Sequence, residues 1–402
     1  MADLRLARRA AGLSTAFPGS HFPSELDDGV IAFDSGFAAS DLLPDLTPFA
    51  QAALNEYRAE TLQYSAGQGQ PLLREWIADL MNRDGCALTA QNLLVVNGAK
   101  NGLDLISRLL LEEGDAIVVT APMYFTAIPI FGVYGVEFIE IGQDEAGIRI
   151  DELEATLARR AAEGLAPPKL IYNVGDFHNP SGVTVPLDRR RTLVDLAARH
   201  GIAVIEDTPY RRVRFEGEAV PSLKALDTHG IVLHVGTFSN LVAPGLRMGW
   251  IAAEPAMIAR MIRLKAEGGS SALIQRILYE FGRSPAFEAH VARVRDAYRQ
   301  RRDRMLVALA RELPEVRVQV PDGGYYLWLT LPVHVDGDRL AADAEAAGIN
   351  LIAGSRFFAG TTTGNRAPPR NHVRLSYSFA TPDAIDAGIT RLAAVYRAMT
   401  AR

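Results

Sequence analysis

The middle of the chain alternates between short apolar runs and longer segments with helical periodicity. The apolar runs are LLVVN, IVVT, KLIYN, IAVIE, IVLHVG and MGWIAA, at residues 93–97, 117–120, 169–173, 202–206, 231–236 and 248–253. Segments such as NGLDLISRLLLEE and LDRRRTLVDLAARHG lie between them, and the second ends on a glycine typical of a helix C-cap. This alternation predicts an α/β domain with a mostly parallel sheet wrapped by helices. Such sheets bind ligands beyond the carboxyl ends of their strands.

The pattern changes near residue 286. A long charged helix is predicted over HVARVRDAYRQRRDRMLVALAREL, followed by strands in VRVQV, YYLWLTL and VRLSYS. The first 45 residues contain proline and glycine but little periodicity. We therefore predict an N-terminal arm over 1–45, a large α/β domain over 46–285 and a small α+β domain over 286–402.

Composition and charge narrow the classes of partner. The chain has 402 residues, 48% of them hydrophobic, which is ample for a globular protein. Its net charge is −5 without a dense basic run, so we expect neither nucleic acid nor an anionic membrane as a partner. We expect small molecules as partners instead. The single cysteine, Cys86, excludes an intramolecular disulfide framework and suits a reducing cytoplasm.

Two segments bear on localisation. The N-terminus MADLRLARRAAGLS lacks the apolar core of a signal peptide, so we expect a cytoplasmic protein. The uncharged run AIVVTAPMYFTAIPIFGVYGV at 116–136 is long enough to span a membrane. Prolines and glycines interrupt that run, and it is better interpreted as a strand, a loop, a short helix and a turn.

Polar chemistry follows three of the predicted strands. Gly-Ala-Lys-Asn at 98–101 opens a helix, which places free backbone N–H groups and the positive end of a helix dipole at the strand end. In GDFHNPSG at 175–182, the turn at Asn179-Pro180 leaves an amide side chain free for a ligand. Asp207 follows a buried strand, where a carboxylate requires a cationic partner unless it caps the next turn.

A fourth loop, VGTFSNLVAPGLRMGW at 235–250, brings hydroxyl groups and a guanidinium together. Thr237 and Ser239 follow the strand, and Arg247 follows a Pro-Gly turn. Arginine presents a planar fork of donors to phosphate or carboxylate, so the loop predicts an anion site. Asn240 stands in the middle of this loop.

Together these loops resemble one family. The NPSG turn, the DTPY loop, TFSNLVAPGLRMGW and the late RLSYS are similar to motifs of the fold-type I, class I/II pyridoxal phosphate (PLP) aminotransferases. The resemblance is strongest to their kynurenine/α-aminoadipate-like and MocR-like branch. It covers essentially the entire chain, including YSAGQGQPLLREWIADLM at 64–81 and PDGGYYLWLTLP at 321–332.

The resemblance implies a PLP-dependent transferase-like α/β fold: a mostly parallel seven-stranded sheet wrapped by helices, plus a smaller α+β domain. It also implies pyridoxal or pyridoxamine 5′-phosphate as the cofactor, an amino acid or 2-oxo acid as the substrate, and a homodimer. The implied reaction is transamination, or a related PLP reaction, through an external aldimine.

Roles at the cofactor ring carry over residue by residue. The resemblance implies that Asp207 pairs with the protonated pyridine nitrogen and keeps the ring an effective electron sink. Asn179 and Tyr210 would hydrogen-bond the phenolic oxygen of the ring. Tyr124 would stack on the ring face.

The remaining implied roles concern the phosphate and the substrate. Residues implied to surround the phosphate are Ala99, Lys100, Thr237, Ser239 and Arg247. Tyr64 would reach the phosphate of the other subunit. Arg374, in VRLSYS, would bind the substrate α-carboxylate beside Asn179, and Gly36 would belong to the substrate loop. Tyr325, Tyr326 and Trp328 alternate along a strand and are predicted to lie in the core.

Asn240 departs from the family at the position of the lysine that forms the internal Schiff base. An amide is neither a useful nucleophile nor a base near neutral pH. Three explanations stay open: a deliberate substitution, a natural lysine-less protein that holds PLP without a covalent bond, or another lysine in its place. Other departures, such as Thr208 and Ala353, favour natural divergence. The alternative to an enzyme is a non-catalytic PLP- or amino-acid-binding module, or an inactive partner subunit.

The lysines of the chain are few enough to consider one by one. They are Lys100, Lys169, Lys224 and Lys265. Lys100 is the only one inside a cofactor motif, where we favour phosphate neutralisation over Schiff-base formation. Lys265 is predicted at the surface or a domain joint, and the other two lie away from the motifs. The catalytic candidates are therefore Asn240, Tyr210 and Lys100.

Overall fold

The computed structural model describes residues 29–360 and 367–401, together with Ala7 and Ala10. Most of the predicted N-terminal arm before residue 29 lies outside the described residues. The strands are β1 (Ile31–Ala32), β2 (Leu93–Val96), β3 (Ala116–Ala121), β4 (Glu137–Asp144), β5 (Gly147–Ile148), β6 (Leu170–Asn173), β7 (Ala203–Asp207), β8 (Val232–Thr237), β9 (Gly249–Ala252), β10 (Arg317–Val318), β11 (Tyr326–Thr330), β12 (Ile349–Asn350), β13 (Ile352–Ala353) and β14 (His372–Ser376).

Helices separate these strands along most of the chain. The α-helices are α1 (Thr47–Glu56), α2 (Arg58–Thr61), α3 (Pro71–Asn82), α4 (Ala99–Leu110), α5 (Ala127–Gly132), α6 (Ile150–Ala162), α7 (Leu187–Arg199), α8 (Leu223–Leu226), α9 (Pro255–Leu264), α10 (Ala272–Gly282), α11 (Pro285–Glu312), α12 (Gly337–Ala346) and α13 (Pro382–Thr400). Short 3₁₀ turns cover Ser40–Leu42, Ala90–Asn92, Pro244–Leu246 and Gly354–Phe357.

The large sheet has the strand order β2-β9-β8-β7-β6-β3-β4-β5. Neighbouring strands are parallel from β8 to β4, whereas β9 runs antiparallel to both of its neighbours. The predicted α/β fold with a mostly parallel sheet is confirmed, and each of the six apolar runs forms a strand. Seven strands form the body of the sheet, and the two-residue β5 adds an edge strand antiparallel to β4.

Burial on both faces explains the continuous apolar runs. All four residues of β2 and of β6 are buried, because helices cover both faces of the sheet. The pairing makes β2, β3, β6, β7 and β8 run in the same direction. Their carboxyl ends therefore meet at one edge, which brings together the polar loops that follow them.

The C-terminal part forms a second sheet. Strands β10, β11, β14 and β13 make an antiparallel sheet in that order, and the long charged helix α11 precedes it. Strand β1 pairs with β12 in parallel, so the segment after residue 30 is joined to this part of the molecule. The domain boundaries at residues 45 and 285 stay predictions.

The uncharged run at 116–136 forms β3, a loop and helix α5, as its prolines and glycines predicted. Within the described ranges, none of the helices has both the length and the apolar character that crossing a bilayer requires.

Candidate active site

A cavity of about 290 Å³ lies at the carboxyl edge of the large sheet. Ligand pockets for small molecules are of this order of size. The cavity brings together most of the residues that the sequence indicated: Gly36, Ala99, Lys100, Tyr124, Asn179, Asp207, Tyr210, Thr237, Ser239, Asn240, Arg247 and Arg374. Tyr64 is not in its lining and is 97% exposed. A role for Tyr64 at another subunit therefore stays a prediction.

Asp207 ends β7 and is buried at the floor of the cavity. The Tyr172 hydroxyl donates to its Oδ2 over 2.8 Å, and its Oδ1 has no hydrogen-bond partner among the described residues. Burial raises the pKa of this carboxyl to about 6, although the Tyr172 hydrogen bond and the His234 charge oppose the rise. The sequence predicted a cationic partner. Within the described part of the chain, the partner is a phenol, and the second oxygen is left for a donor such as a protonated ring nitrogen.

Arg374 is fixed at the opposite side of the cavity. It is 2% exposed, its Nη1 donates to Asn179 Oδ1 over 3.0 Å, and its Nη2 donates to the backbone oxygen of Asp34. Its guanidinium carbon lies 4.1 Å from the centroid of the Tyr326 ring. Among the described residues, neither Arg374 Nε nor Asn179 Nδ2 has a partner. The two groups are donors suited to a carboxylate or another oxygen of a ligand.

Tyr326 is buried in the core, as the strand pattern predicted, and it also lines the cavity. Its hydroxyl accepts a hydrogen bond from the Tyr210 hydroxyl over 3.2 Å. A Cβ atom at Gly36 would lie 1.9 Å from the Tyr326 hydroxyl, so this approach requires glycine. The alternation along β11 does not reveal a contact with Gly36, which is remote in the sequence. Tyr325, by contrast, is fully buried and does not line the cavity.

Tyr124 follows β3 and contributes an aromatic ring to the lining. Burial raises the pKa of its phenol well above the ordinary range, so the group stays neutral. Phe125 and Phe37 also line the cavity and were not predicted. The substrate side of the cavity is therefore more aromatic than the motifs indicated.

The other end of the cavity is suited to an anion. Ala99 and Lys100 begin helix α4, and Gly98 before them has a positive φ of 87°. A Cβ atom at Gly98 would lie 2.9 Å from Arg247 Nη2, so glycine lets the guanidinium approach the helix start. Desolvation and the neighbouring Arg247 charge lower the pKa of the Lys100 amine. A phosphate group here would meet two cations and the positive end of a helix dipole.

Two hydroxyl groups complete this end. The Thr237 and Ser239 hydroxyl oxygens lie 2.9 Å apart, and the Ser239 backbone N–H donates to Thr237 Oγ1 over 3.1 Å. The turn lies at the end of β8, and both side chains line the same cavity as the first residues of helix α4. These hydroxyls are additional donors for phosphate oxygens.

Asn240 lines the same cavity, and it is held only weakly by its side chain. Its Nδ2 donates to the Pro209 backbone oxygen over 3.4 Å. Its backbone oxygen accepts a hydrogen bond from the Tyr325 hydroxyl over 2.5 Å, which fixes the main chain. A neutral amide therefore occupies the cavity wall where the family resemblance requires an amine.

The described residues include all four lysines, and of these only Lys100 lines the cavity. Of the two positions predicted for Lys265, the surface is wrong and the domain joint stays a prediction: the residue is 5% exposed, and its Nζ donates to the backbone oxygens of Gly67 and Val95 over 3.1 and 2.9 Å. Lys224 forms an ion pair with Asp227 over 3.0 Å. Lys169 precedes β6 and lies at the opposite edge of the sheet.

Comparisons with known proteins agree with this geometry. The chain matches the family model for aminotransferase class I and II over residues 29–392. It is 33% identical over 370 residues to aromatic-amino-acid aminotransferase 1 of Thermococcus litoralis, which covers 90% of this chain and 87% of the relative. It is 30% identical over 381 residues to 2-aminoadipate transaminase of Thermus thermophilus, with 93% and 91% covered.

Among solved structures, a kynurenine aminotransferase of Pyrococcus horikoshii superimposes with a TM-score of 0.90 at 30% identity. The match covers 98% of this chain and 97% of that one, and the relative was solved with pyridoxamine phosphate, substrate and product. The similarity therefore extends over both sheets.

Proposed function

The chain belongs to the class I and II aminotransferase family, and on that premise we propose that it binds PLP or pyridoxamine phosphate without a covalent bond and presents it to an α-amino acid or 2-oxo acid. The observation that carries this proposal is the lining of one cavity by all of the expected cofactor contacts except Tyr64, around a neutral Asn240. The family and the relatives supply the cofactor and the substrate class.

The residues of the cavity fit the cofactor at both of its ends. Asp207 Oδ1 is a buried acceptor without a donor among the described residues, as a site for a protonated pyridine nitrogen requires. Lys100, Arg247 and the start of helix α4 provide for a phosphate at the other end. The chemistry that PLP supplies when bound is an electron sink for a carbanion.

Arg374 would orient the substrate. Its guanidinium is held by Asn179 and by the Asp34 backbone, so little side-chain entropy remains to be lost when a carboxylate binds. A fixed carboxylate restrains the rotation of the amino acid and so sets the direction of its Cα–H bond. The aromatic rings of Tyr124, Phe125 and Tyr326 would exclude water around that bond.

Proton transfer is the step that this chain is poorly equipped to perform. Asn240 offers no base, and burial raises the pKa of the Tyr210 phenol far above neutral pH, so that group holds its proton. We therefore propose that removal of the Cα proton is slow. The same observation favours a second candidate function, a non-catalytic binding module or an inactive partner subunit.

Deuterium exchange at the substrate Cα tests this proposal. The wild-type chain and the variant Asn240→Lys are each incubated with PLP and a panel of amino acids in D₂O, and exchange is followed by NMR. We expect both proteins to bind PLP and the variant to exchange about 100-fold faster or more, the usual contribution of a positioned base. Equal exchange rates would contradict the role assigned to position 240. Complete absence of exchange in the wild type would favour the binding module.

We also propose a cytoplasmic homodimer. The 97% exposed Tyr64 is available to a neighbouring subunit, and the free Cys86 suits a reducing compartment. Sedimentation equilibrium should then give twice the chain mass of 43.7 kDa. A monomer at micromolar concentration would argue against the shared site.

A further inference from the structure

Beside the cavity, one buried carboxylate receives three guanidinium groups. Asp176 lies in the loop after β6 and is fully buried. Its Oδ1 lies 2.8 Å from Arg190 Nη2 and 3.5 Å from Arg214 Nη2, and its Oδ2 lies 2.9 Å from Arg211 Nη1. The cofactor contacts described above use none of these four residues.

The three arginines come from different parts of the chain. Arg190 belongs to helix α7, whereas Arg211 and Arg214 lie in the loop after β7. Arg190 also donates to the backbone oxygens of Gly175 and Val185 over 2.7 and 2.8 Å. It therefore holds both ends of the loop that carries Asn179.

The loop conformation between these ends is unusual. Phe177 has a positive φ of 50°, which costs energy for a residue other than glycine. The Arg214 guanidinium carbon lies 4.7 Å from the centroid of the Phe177 ring. The Asp176 cluster therefore maintains a backbone conformation that the loop would not favour alone.

The cluster joins two loops that carry cofactor contacts. Asn179 lies three residues after Asp176, and Tyr210 directly precedes Arg211. Both side chains line the cavity. The ion pair between Asp176 and Arg211 is thus a short link between the two side chains proposed to hydrogen-bond the same ring oxygen.

Charge keeps this link intact at neutral pH. Burial alone would raise the pKa of Asp176, but the Arg190 and Arg211 charges outweigh burial and lower it. The carboxylate is therefore ionised whenever the protein is folded near neutral pH.

We infer that Asp176 is a positioning residue, which sets the geometry of Asn179 and Tyr210 around the ring oxygen of the bound cofactor. The inference rests on the proposed function. It predicts that Asp176 governs cofactor affinity and the ionisation of the ring oxygen as well as stability.

A matched control separates positioning from stability. Asp84 forms ion pairs with Arg211 and Arg212, each over 3.4 Å, and lies at the end of a different helix. Asp84→Asn and Asp176→Asn remove the same charge and share Arg211 as a partner. Only Asp176 belongs to the loop that carries Asn179.

The test is a PLP titration of wild type, Asp176→Asn and Asp84→Asn, followed by absorbance and repeated across pH. Loss of a supporting group behind a ligand costs roughly 10- to 100-fold in metal sites, and we expect a similar loss of PLP affinity for Asp176→Asn. We also expect a shifted apparent pKa of the bound chromophore in this variant. The PLP affinity of Asp84→Asn should stay within about threefold of wild type, because Asp84 does not line the cavity and its ion pairs are long and only partly buried.

Two results would overturn the inference. A folded Asp176→Asn variant with the affinity and absorbance of Asp84→Asn would show that Asp176 has no positioning role, while the proposed function would stand. A wild-type chain that binds no PLP would refute the proposed function and the inference with it. If Asp176→Asn does not fold, Arg214→Gln takes its place, with an expected loss of PLP affinity of about tenfold and the same direction of absorbance shift. Wild-type behaviour of that variant would also count against the inference.

Discussion

Two buried aspartates follow neighbouring strands of the large sheet and differ in how they are satisfied. Asp176 has three guanidinium partners, and their charges lower its pKa despite its burial. Asp207 accepts one hydrogen bond from Tyr172, one of its oxygens has no partner among the described residues, and burial raises its pKa to about 6. Two equally buried aspartate side chains thus differ in their partners: both oxygens of Asp176 are paired, whereas one oxygen of Asp207 is not.

The difference indicates what each carboxylate is for. A buried charge with complete partners stabilises the backbone around it, whereas a buried charge without them lowers stability until a ligand binds. We therefore assign Asp176 to the framework of the site and Asp207 to the ligand. Four experiments test this assignment.

The largest expected effect is on stability. Asp176→Asn leaves three arginines around a neutral amide, and breaking a buried ion pair in this way costs about 3–5 kcal/mol. Denaturant unfolding of the apoprotein should show a loss of this order. A loss below about 1 kcal/mol would mean that the cluster is not the framework that its contacts indicate.

Asp207→Asn should behave in the opposite way. Removing an incompletely paired charge should leave the stability of the apoprotein unchanged or higher, because no salt bridge is lost. The amide cannot provide a negative charge for a pyridinium nitrogen, so PLP affinity should fall by roughly 10- to 100-fold, as a charged hydrogen bond is worth about 1.5–3 kcal/mol. Denaturant unfolding measures the stability of the apoprotein, and PLP titration of the same preparation measures the affinity. A destabilised variant with normal PLP affinity would reverse the assignment.

The pH dependence of stability should also separate the two. The pKa of Asp207 is higher in the folded state than its ordinary value of 3.8, so the folded chain binds more protons than the unfolded chain between about pH 4 and 6. Ionisation of Asp207 should therefore lower the free energy of unfolding of the apoprotein as pH rises through that window, by roughly 3 kcal/mol at most. Asp176 has a lowered pKa, so its contribution is lost only as pH falls below its unfolded value. The difference in the free energy of unfolding between wild type and Asp207→Asn, measured at several pH values, isolates the contribution of Asp207. A difference that does not change with pH would contradict the raised pKa of Asp207.

A smaller effect is expected at Tyr172. Tyr172→Phe removes the hydrogen bond that its hydroxyl donates to Asp207. The pKa of Asp207 should rise further, and the pH window should move upward by roughly one unit, since a hydrogen bond is worth about 1–1.5 kcal/mol. The shift of the pH window is measured from the free energy of unfolding of the variant at the same pH values. An unchanged window would show that Tyr172 does not set the ionisation of Asp207.

The sequence predicted the residues that contact the ligand better than it predicted the Asp176 cluster behind them. Asp207, Arg374 and Arg247 lie in short motifs at or beside strands, so local pattern and family resemblance located them together. The Asp176 cluster depends on three arginines that come close only through the tertiary structure. Strand β4 was also missed, because its residues Glu137–Asp144 mix charged and apolar side chains next to the edge of the sheet.

Lys265 and Tyr326 illustrate the same limit. Lys265 precedes the glycine-containing sequence AEGG, which is typical of an exposed loop. The backbone oxygens that bind its amine come from Gly67 and Val95, which are remote in the sequence. Tyr326 lies in the core, as its alternation predicted, but the alternation does not indicate that its ring also lines the cavity beside Gly36. Local periodicity determines which face a residue occupies, but not which distant segment covers that face.

The central claim is that this cavity holds PLP without a covalent bond, because Asn240 replaces the amine. The most direct measurement is to titrate the purified chain with PLP, reduce it with borohydride, digest it and search for phosphopyridoxyl-lysine by mass spectrometry. We predict one equivalent of bound PLP per chain and no labelled lysine. A stoichiometric adduct on Lys100, the only lysine of the described residues in the cavity lining, would contradict the claim, and so would the absence of PLP binding.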